Sequence, residues 1–243
     1  MAKIESIIVE ASAYLADVGL ETHAFKTGWY NDQVDEPFQL KYPYDTLALC
    51  IISSPEMFEK GFKPFLKTGT YSGSMDPLDE FIAKYLNKFK AEVTSEELEI
   101  IFDYEILPSR KPKILIQTAG HVSGAAFYYQ RKNVKNDPWP ANTKIYGVSI
   151  HEKYAGWFGF RGVIIFKNVQ ATELKQKSPV DVVCEDEKKI QLLQKFNYHW
   201  KDWSFRDIVP AIMKYSDEQK LYFETPPAER KNMLEKFIHS DVA

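Results

Sequence analysis

The sequence predicts an α+β fold in which helices cover a mixed or antiparallel sheet. Helical and strand patterns follow one another irregularly along the 243 residues, without the strand-helix-strand repeat of a doubly wound fold. Two strand patterns, residues 145–150 and 157–166, lie close enough to form a hairpin. Hydrophobic residues make up 44% of the chain and aromatic residues 14%, so we expect one buried core and a single domain over residues 1–243.

The N-terminal region predicts one helix and two strands. Apolar residues recur at helical spacing from Ile4 to Leu15 and stop before Gly19, which is typical of an amphipathic helix with a glycine stop. Residues 21–30 alternate like a strand. The continuous apolar run Thr46–Ser53 has strand length and predicts a buried strand.

Two proline pairs mark further helix starts, because proline is favoured at the first helical position. Ser54-Pro55 directly follows the buried strand, and Asp76-Pro77 precedes the clearest helical face of the chain, which extends to Phe89. The alternation from Leu98 to Phe102 then predicts another strand.

The C-terminal region predicts helices. Residues 190–196 show a helical pattern, and Ser216 with Gln219 forms a capping box at the start of the next helix. Thr225-Pro226 is the expected start of the last helix.

Charge, N-terminus and cysteines exclude several classes of function. The net charge is −3 and the acidic and basic residues are interspersed, so nucleic acid is not an expected partner. The N-terminus has no long apolar stretch, and we expect a soluble cytosolic protein with no membrane contact. Cys50 and Cys184 have neither metal-site nor disulfide spacing, and Cys50 lies in an apolar run that predicts a core position.

Residues 114–131 are unusual because small residues dominate the middle of the segment before three aromatic residues. Gly120 and Gly124 would share one face of a helix. Glycine destabilises a helix relative to alanine, so something is expected to approach the backbone closely. A neighbouring helix and a broad planar ligand both satisfy this requirement, and the pattern leaves the two open.

His121 and Gly124 form a His-x-x-Gly pair, part of the Asp-x-His-x-x-Gly pattern with which some cobalamin enzymes ligate cobalt from below. Ala119 occupies the Asp position here. Metal-binding histidines normally have a carboxylate that orients the ring. We therefore expect no direct protein ligand to cobalt, and His121 and Gly124 are only candidates for a position near a corrin ring.

Three arginines lie in aromatic or structured contexts. Arg161 lies between two glycines of an aromatic strand, which predicts an anionic partner. Arg206 and Arg230 have the acidic neighbours Asp207 and Glu229, so local ion pairs are the alternative interpretation for them. The chain carries no dinucleotide, P-loop, zinc-protease or hydrolase motif. From the residues alone, the prediction ends at a soluble α+β domain.

A series of sequence motifs extends over nearly the whole chain. They are Gly28-Trp29-Tyr30-Asn31, Lys63-Pro64-Phe65-Leu66, Asp103-Tyr104-Glu105, Arg110-Lys111-Pro112-Lys113-Ile114-Leu115, the His121 segment, Asp137-Pro138-Trp139, Gly156-Trp157-Phe158, His199-Trp200-x-Asp202-Trp203 and Tyr222-Phe223-x-Thr225-Pro226-Pro227-Ala228. In these motifs and in their order the chain resembles the CblC family, the cyanocobalamin-processing proteins of methylmalonic aciduria and homocystinuria type C. So many long motifs in the same order make the resemblance specific.

The resemblance implies a fold like that of flavin-dependent nitroreductases and a cytosolic enzyme that binds cobalamin with its lower base detached. It implies removal of the upper ligand by glutathione-dependent dealkylation or by reductive decyanation with FMN or FAD, with NADP as an associated cofactor and thiol oxidation as a side activity. It also implies delivery, as a chaperone, to a CblD-type trafficking protein and methionine synthase, a flavin reductase as electron source, and a homodimer on ligand binding.

The resemblance also implies the site residues. Ten residues are expected to contact cobalamin. Among them, the segment 128–130 is expected to be helical, and Ser149 replaces a cysteine of some relatives. Glutathione is expected at the arginines, whose charge-assisted bonds hold its two carboxylates. The cobalamin set is Asp103, Ile114, Leu115, Ile116, Gln117, Tyr128, Tyr129, Gln130, Ser149 and Phe160, and the glutathione set is Arg161, Arg206 and Arg230.

No protein nucleophile is expected, because the thiol or the reduced flavin would attack or reduce the corrinoid directly. Two rivals from other classes stay open. One is a cobalamin chaperone that leaves the cofactor unaltered, and the other is a conventional flavin nitroreductase.

Overall fold

The structure, a computed structural model, describes residues 2–92 and 96–239. Eight α-helices and six strands are found in these residues, with short 3-10 turns and one π-helical turn at Phe58–Phe62. The helices are α1 Ala2–Ala16, α2 Thr27–Asn31, α3 Lys63–Lys67, α4 Pro77–Glu92, α5 Ile116–Val122, α6 Asp186–Tyr198, α7 Asp217–Glu224 and α8 Lys231–His239. The strands are β1 Leu20–Lys26, β2 Thr46–Ser53, β3 Leu98–Phe102, β4 Phe127–Tyr129, β5 Val148–Ile150 and β6 Gly159–Gln170.

A four-stranded antiparallel sheet forms the centre of the fold, with the strand order β1-β2-β6-β3. Strands β2 and β6 are central, and β2 is buried along its whole length because both faces of the sheet are covered. On one face, Leu49 and Ile164 pack with residues of α1, α4 and α8. On the other, Cys50 and Val163 pack against residues of α2 and α5.

Strands β4 and β5 form a separate two-stranded antiparallel sheet. Its buried residues Tyr129 and Ile150 pack against Leu192 and Leu193 of α6 and against Phe205. This second apolar cluster holds α6 and the segment after it beside the end of the large sheet. A cleft is left between the two sheets.

Many of the predicted elements are confirmed. The predicted strand Thr46–Ser53 is β2 at the same bounds, and Leu98–Phe102 is β3. Gly19 follows α1 with φ +74°, and Ser216 accepts a hydrogen bond from the Gln219 N–H, which is one half of the predicted capping box. The reciprocal bond is not formed, because the Gln219 side-chain oxygen has no hydrogen-bond partner among the described residues. The core position of Cys50 is confirmed as well: it is fully buried, and burial raises the pKa of its thiol to about 12.

Other expectations are wrong. Residues 145–150 and 157–166 do not form a hairpin, because β5 pairs with β4 while β6 joins the large sheet. The expected helix over 128–130 is a strand, since α5 ends at Val122 and the chain continues into β4. Consequently Gly124 does not share a helix face with Gly120.

Two helix starts also differ from the prediction. No α-helix begins at Ser54-Pro55, because a turn and the π-helical turn at Phe58–Phe62 follow it. The next α-helix, α3, begins at Lys63 and has Pro64 in its first turn. Thr225 ends α7, and α8 begins later, at Lys231, after a short 3-10 turn.

Within residues 2–92 and 96–239, every helix is too short or too polar to cross a bilayer. The likeness to nitroreductases and the single domain over 1–243 stay predictions.

Gly19 supplies a stability test of the junction between α1 and β1. A Cβ there would lie 2.5 Å from the Met57 backbone nitrogen and 2.6 Å from its Cα, whereas one at Gly69 would meet nothing within 4 Å. Both glycines have positive φ, +74° and +71°. Both alanine variants therefore lose about 1–2 kcal/mol to backbone conformation, and Gly19→Ala loses at least about 2 kcal/mol more to the collision.

Urea unfolding of the two alanine variants and the parent measures the free energy of unfolding directly. Equal losses for Gly19→Ala and Gly69→Ala would show that Met57 does not restrict this turn.

Candidate functional site

A cleft of about 1250 Å³ opens between the large sheet and the β4-β5 sheet. This volume exceeds that of a usual drug-sized pocket. Its wall combines backbone of β5 and β6 with aromatic side chains and two guanidinium groups. Eight of the residues predicted to bind ligands line this one cleft: Asp103, Ile116, Gln117, Tyr128, Ser149, Phe160, Arg161 and Arg206.

The other predicted residues lie outside the cleft lining. Ile114 and Tyr129 are buried in the core, where the Tyr129 hydroxyl donates to Asp181 at 2.7 Å. Leu115 donates its backbone N–H to the Tyr30 hydroxyl, and Gln130 caps a short turn with Asn133. Their structural roles are therefore clear, and their contact with a ligand stays a prediction. The remaining residues outside the lining are Arg230, His121 and Gly124.

Ser149 and Gln117 connect the two sides of the cleft floor. The Ser149 hydroxyl donates to the Gln117 side-chain oxygen at 3.1 Å, which joins β5 to the first turn of α5. Asp103 lies just beyond the end of β3 on the opposite side. Burial raises the pKa of its carboxyl, against the opposing effect of Arg161.

Arg161 reaches the cleft because β6 is irregular there. Ile51 pairs with Gly162 and Ile52 pairs with Phe160, so Arg161 is an extra residue with no partner on β2. Such a bulge breaks the alternation of side chains. Phe160 and Arg161 therefore both line the cleft, although neighbours on a regular strand point to opposite faces.

Gly162 is the residue that allows this bulge. It has φ +139°, and a Cβ there would meet the Ile101 carbonyl oxygen and lie 3.0 Å from the Phe102 Cα. A side chain at this position would therefore collide with β3. The glycine after the arginine, noticed in the sequence, is explained by this backbone geometry.

Arg206 lies inside a cage of aromatic rings. Its guanidinium carbon is 5.0–5.7 Å from the centres of four aromatic rings, within the range of cation–π attraction. One Nη donates to the Gly156 carbonyl oxygen, and the buried Nε has no hydrogen-bond partner among the described residues. The cage rings belong to Trp157, Trp203, Phe205 and Tyr215.

The alternative of local ion pairs is not found. Asp207 pairs with Lys214 at 2.8 Å and accepts the Trp157 indole N–H at 2.7 Å. Across residues 2–92 and 96–239, neither Arg161 nor Arg206 has a carboxylate oxygen within 4.0 Å. Two guanidinium groups therefore line the cleft with their charges unpaired.

Arg230 is held near this site but does not line it. Its Nε donates to the carbonyl oxygens of Tyr222 and Thr225, and its guanidinium lies 4.3 Å from the centre of the Tyr222 ring. Its charge acts on Asp79, which also feels Arg161; burial nevertheless raises the pKa of Asp79. Arg161 and Arg230 therefore act on the same half-buried carboxyl group.

The structure answers the question about the small residues of α5. Phe160 packs its ring against Gly120, where a Cβ would come within 2.5 Å of the ring Cζ. A protein side chain, and not a ligand, makes the close approach. His121 accepts the Tyr128 backbone N–H on Nδ1 at 3.1 Å, and burial lowers its pKa. Gly124 turns the chain with φ +77°.

Sequence reasoning missed several aromatic residues of the cleft. Tyr146 and Trp200 lie on its lining and are 58% and 55% exposed. Trp203, Tyr215 and Phe223 are deeper. These residues are far apart in the sequence, and only the fold brings their segments together.

A second titratable cluster lies behind the cleft floor. Glu21, His23 and His151 each bring one potential metal ligand within 4.8 Å of the others. However, His151 accepts the backbone N–H groups of Lys153 and Tyr154 on Nδ1, at 3.0 and 3.3 Å. The neutral ring then carries its proton on Nε2 and has no lone pair there for a metal.

This cluster is better explained as support for the floor. Burial opposes the charge on Glu21, but the hydrogen bond from Tyr154 and the His23 ring, whose Nε2 lies 3.7 Å from the carboxylate, outweigh it and lower the pKa of Glu21 to about 2. The His151 ring stacks on Tyr154 and lies 5.6 Å from the ring of Phe158, which lines the cleft.

With the site described, comparison with known proteins decides the family. The model of the methylmalonic aciduria and homocystinuria type C family matches residues 19–234. The chain belongs to this family. The resemblance stated from the sequence is therefore confirmed.

Relatives within the family cover most of the chain. A Gallus gallus protein named cyanocobalamin reductase / alkylcobalamin dealkylase is 50% identical over 90% of this chain and 92% of its own length. The Homo sapiens protein of the same name is 43% identical, over 90% and 78% respectively. The crystal structure of a C. elegans B12-trafficking protein CblC superimposes with a TM-score of 0.89 at 38% identity, covering 100% of this chain and 99% of that one.

The buried histidine predicts a pH dependence of stability. Burial lowers the pKa of His151 to about 4 from the ordinary histidine value of about 6.5, so between these pH values the unfolded chain binds a proton that the folded chain does not. The free energy of unfolding therefore falls as the pH falls through this window. We expect His151→Gln to remove about 3 kcal/mol of the difference between pH 7 and pH 4.

Urea unfolding at several pH values measures this difference. His199→Gln, at an exposed position, is the matched control and keeps the slope of the parent. An unchanged slope in His151→Gln would refute the assignment.

Proposed function

We propose that this chain is a cobalamin-processing enzyme, a cyanocobalamin reductase and alkylcobalamin dealkylase that acts in the cytosol and passes the processed cofactor on. One observation carries the proposal: a single large cleft joins an aromatic and amide-lined wall to two unpaired guanidinium groups. The activity is the one named for relatives at 43–50% identity.

The corrin ring fits the part of the cleft formed by β4, β5 and the start of α5. A broad ring edged with amide side chains needs flat apolar contacts and dispersed hydrogen-bonding groups. Tyr128 and Phe160 offer ring faces, while Gln117, Ser149 and Asp103 offer polar atoms. Binding with the lower base detached, and without a protein ligand on cobalt, is what the family resemblance implies for this part of the cleft.

Glutathione fits beside the corrin at the arginines. Its two carboxylates match Arg161 and Arg206, and charge-assisted hydrogen bonds of this kind are about twice as strong as neutral ones. Arg230 does not line the cleft, but its positive charge acts on Asp79, as that of Arg161 does. We expect this charge to favour an anion at the arginine end of the cleft. The positive surroundings also favour the thiolate over the thiol.

Dealkylation follows from this placement. The thiolate sulfur attacks the alkyl carbon on the side opposite cobalt, a carbon–sulfur bond forms, and the carbon–cobalt bond breaks. Its electron pair stays on the metal, so Co(III) becomes Co(I) and the thiol has lost its proton to solvent. The protein contributes orientation and proximity, and no side chain has to act as a nucleophile.

Reductive decyanation needs an electron from outside the chain. Reduced FMN or FAD supplies it when bound, giving cob(II)alamin and cyanide. Tyr146 and Trp200, both exposed on the cleft lining, fit the flat face of such a group. A fold like that of flavin-dependent nitroreductases is proposed together with this flavin-dependent reaction. Thiol oxidation, a flavin reductase, homodimer formation and delivery to a CblD-type protein and methionine synthase stay predictions.

Anaerobic mixing of the protein with methylcobalamin and glutathione tests the proposal. We expect loss of the alkylcobalamin spectrum with formation of the methyl thioether. In Arg161→Gln the kcat/KM of this reaction should fall by about 10- to 100-fold, because a charge-assisted carboxylate contact is lost. Flavin-driven decyanation of cyanocobalamin by the same variant should fall much less, since it needs no thiol.

The rivals give different results in the same experiment. Methylcobalamin that binds with its base detached and stays intact would indicate a chaperone. A protein that binds flavin but has no affinity for any corrinoid would indicate a nitroreductase. Equal losses of both activities in Arg161→Gln would contradict the assignment of this arginine to glutathione.

A further inference from the structure

Ser53 is the last residue of β2 and lies directly against the bulge that carries Arg161. It is fully buried and pairs in register with Gly159, the first residue of β6. It does not line the cleft, and the resemblance to the family does not single it out. Its position is therefore beneath the cleft wall, behind Arg161.

The hydroxyl of Ser53 has a defined hydrogen-bonding arrangement. It donates to the Gly159 carbonyl oxygen at 3.3 Å and accepts the Arg161 Nε–H at 2.9 Å. Because the single hydroxyl proton is directed at the carbonyl, an oxygen lone pair is left for the arginine. The backbone of β6 thus orients the serine, and the serine orients Arg161.

This bond determines which edge of Arg161 is free. Within residues 2–92 and 96–239 it is the only hydrogen bond that the Arg161 side chain makes. Since Nε is occupied, the two Nη groups are left for a ligand, and these form the end of the fork that holds both oxygens of a carboxylate. A guanidinium held at one edge also loses less rotamer freedom when it binds.

Gly159 completes the arrangement by leaving room for the guanidinium. A Cβ at this position would lie 2.7 Å from the Arg161 Nη2, 3.0 Å from its Cζ and 3.2 Å from the Ser53 hydroxyl oxygen. The guanidinium therefore packs onto the backbone where a side chain would be. Both Ser53 and Gly159 act on the same group, one by attraction and one by leaving space.

We propose that Ser53 is a positioning residue for the thiol reaction, which holds Arg161 so that its two Nη groups receive one carboxylate of the tripeptide thiol. This inference rests on the proposed function, because it takes Arg161 to be a glutathione contact. Ser53 itself touches neither the corrinoid nor the thiol.

The KM for glutathione in anaerobic methylcobalamin dealkylation tests this role in Ser53→Ala, Arg161→Gln and the double variant. We expect Ser53→Ala to increase the KM about tenfold, the usual effect of losing a hydrogen bond to a charged group, with a smaller change in kcat. In the Arg161→Gln background the same change should have no further effect, because Ser53 acts only through that arginine.

Two more variants separate this role from a loss of folding. Gly159→Ala should raise the KM by displacing the guanidinium, although this variant still carries the Ser53 hydroxyl. Ser12→Ala is the matched control: it removes a hydroxyl bonded to Thr22 at 2.5 Å, away from the cleft, and should keep the parent KM. Thermal unfolding of each variant confirms that the measured protein is folded.

The outcomes distinguish this inference from the proposed function. If Arg161→Gln raises the KM and Ser53→Ala does not, the positioning role is wrong and the glutathione site stands. Equal effects of Ser53→Ala in both backgrounds would also overturn the role, because Ser53 would then act independently of Arg161. If Arg161→Gln leaves the KM unchanged, the glutathione site itself is wrong, and this inference fails with it.

Discussion

The irregular pairing between β2 and β6 is the constraint on which the site depends. One extra residue on β6 lies between the pairs formed by Ile51 and Ile52, and that residue is Arg161. Without the bulge, Arg161 and Phe160 would point to opposite faces of a buried sheet. An arginine facing the core would carry an uncompensated charge at a cost of several kcal/mol. The bulge instead directs the charge into the cleft, where an anionic ligand can pair with it.

The central elements of the fold were predictable because their patterns are local. The residues between Thr46 and Ser53 are all apolar since β2 is covered on both faces, and the short length of the run favours a buried strand. Strand pairing was not predictable in the same way. The strands β5 and β6 are neighbours in sequence, yet β5 pairs with β4, because Ile150 packs with Leu192 and Leu193 of the distant α6. Such contacts leave no local signature.

The candidate site, too, was predictable only in part. The family resemblance provided the residue set, and the fold brings eight of those residues to one cleft. Spacing could not show that Arg206 would be surrounded by four rings from separate segments. It also could not show that Phe160, and no ligand, packs against Gly120. The role of Ser53 was not predictable from the sequence, because it arises from a single contact with Arg161 on another strand, 108 residues away.

The central claim is that guanidinium groups hold the carboxylates of a thiol beside a bound corrinoid. The most direct measurement compares glutathione with its diester, in which both carboxylates are blocked and the thiol is kept, as the substrate for anaerobic dealkylation of methylcobalamin. The account predicts that kcat/KM falls by about 100-fold or more for the diester, as two charge-assisted contacts are lost. Equal kcat/KM for the two thiols would contradict it.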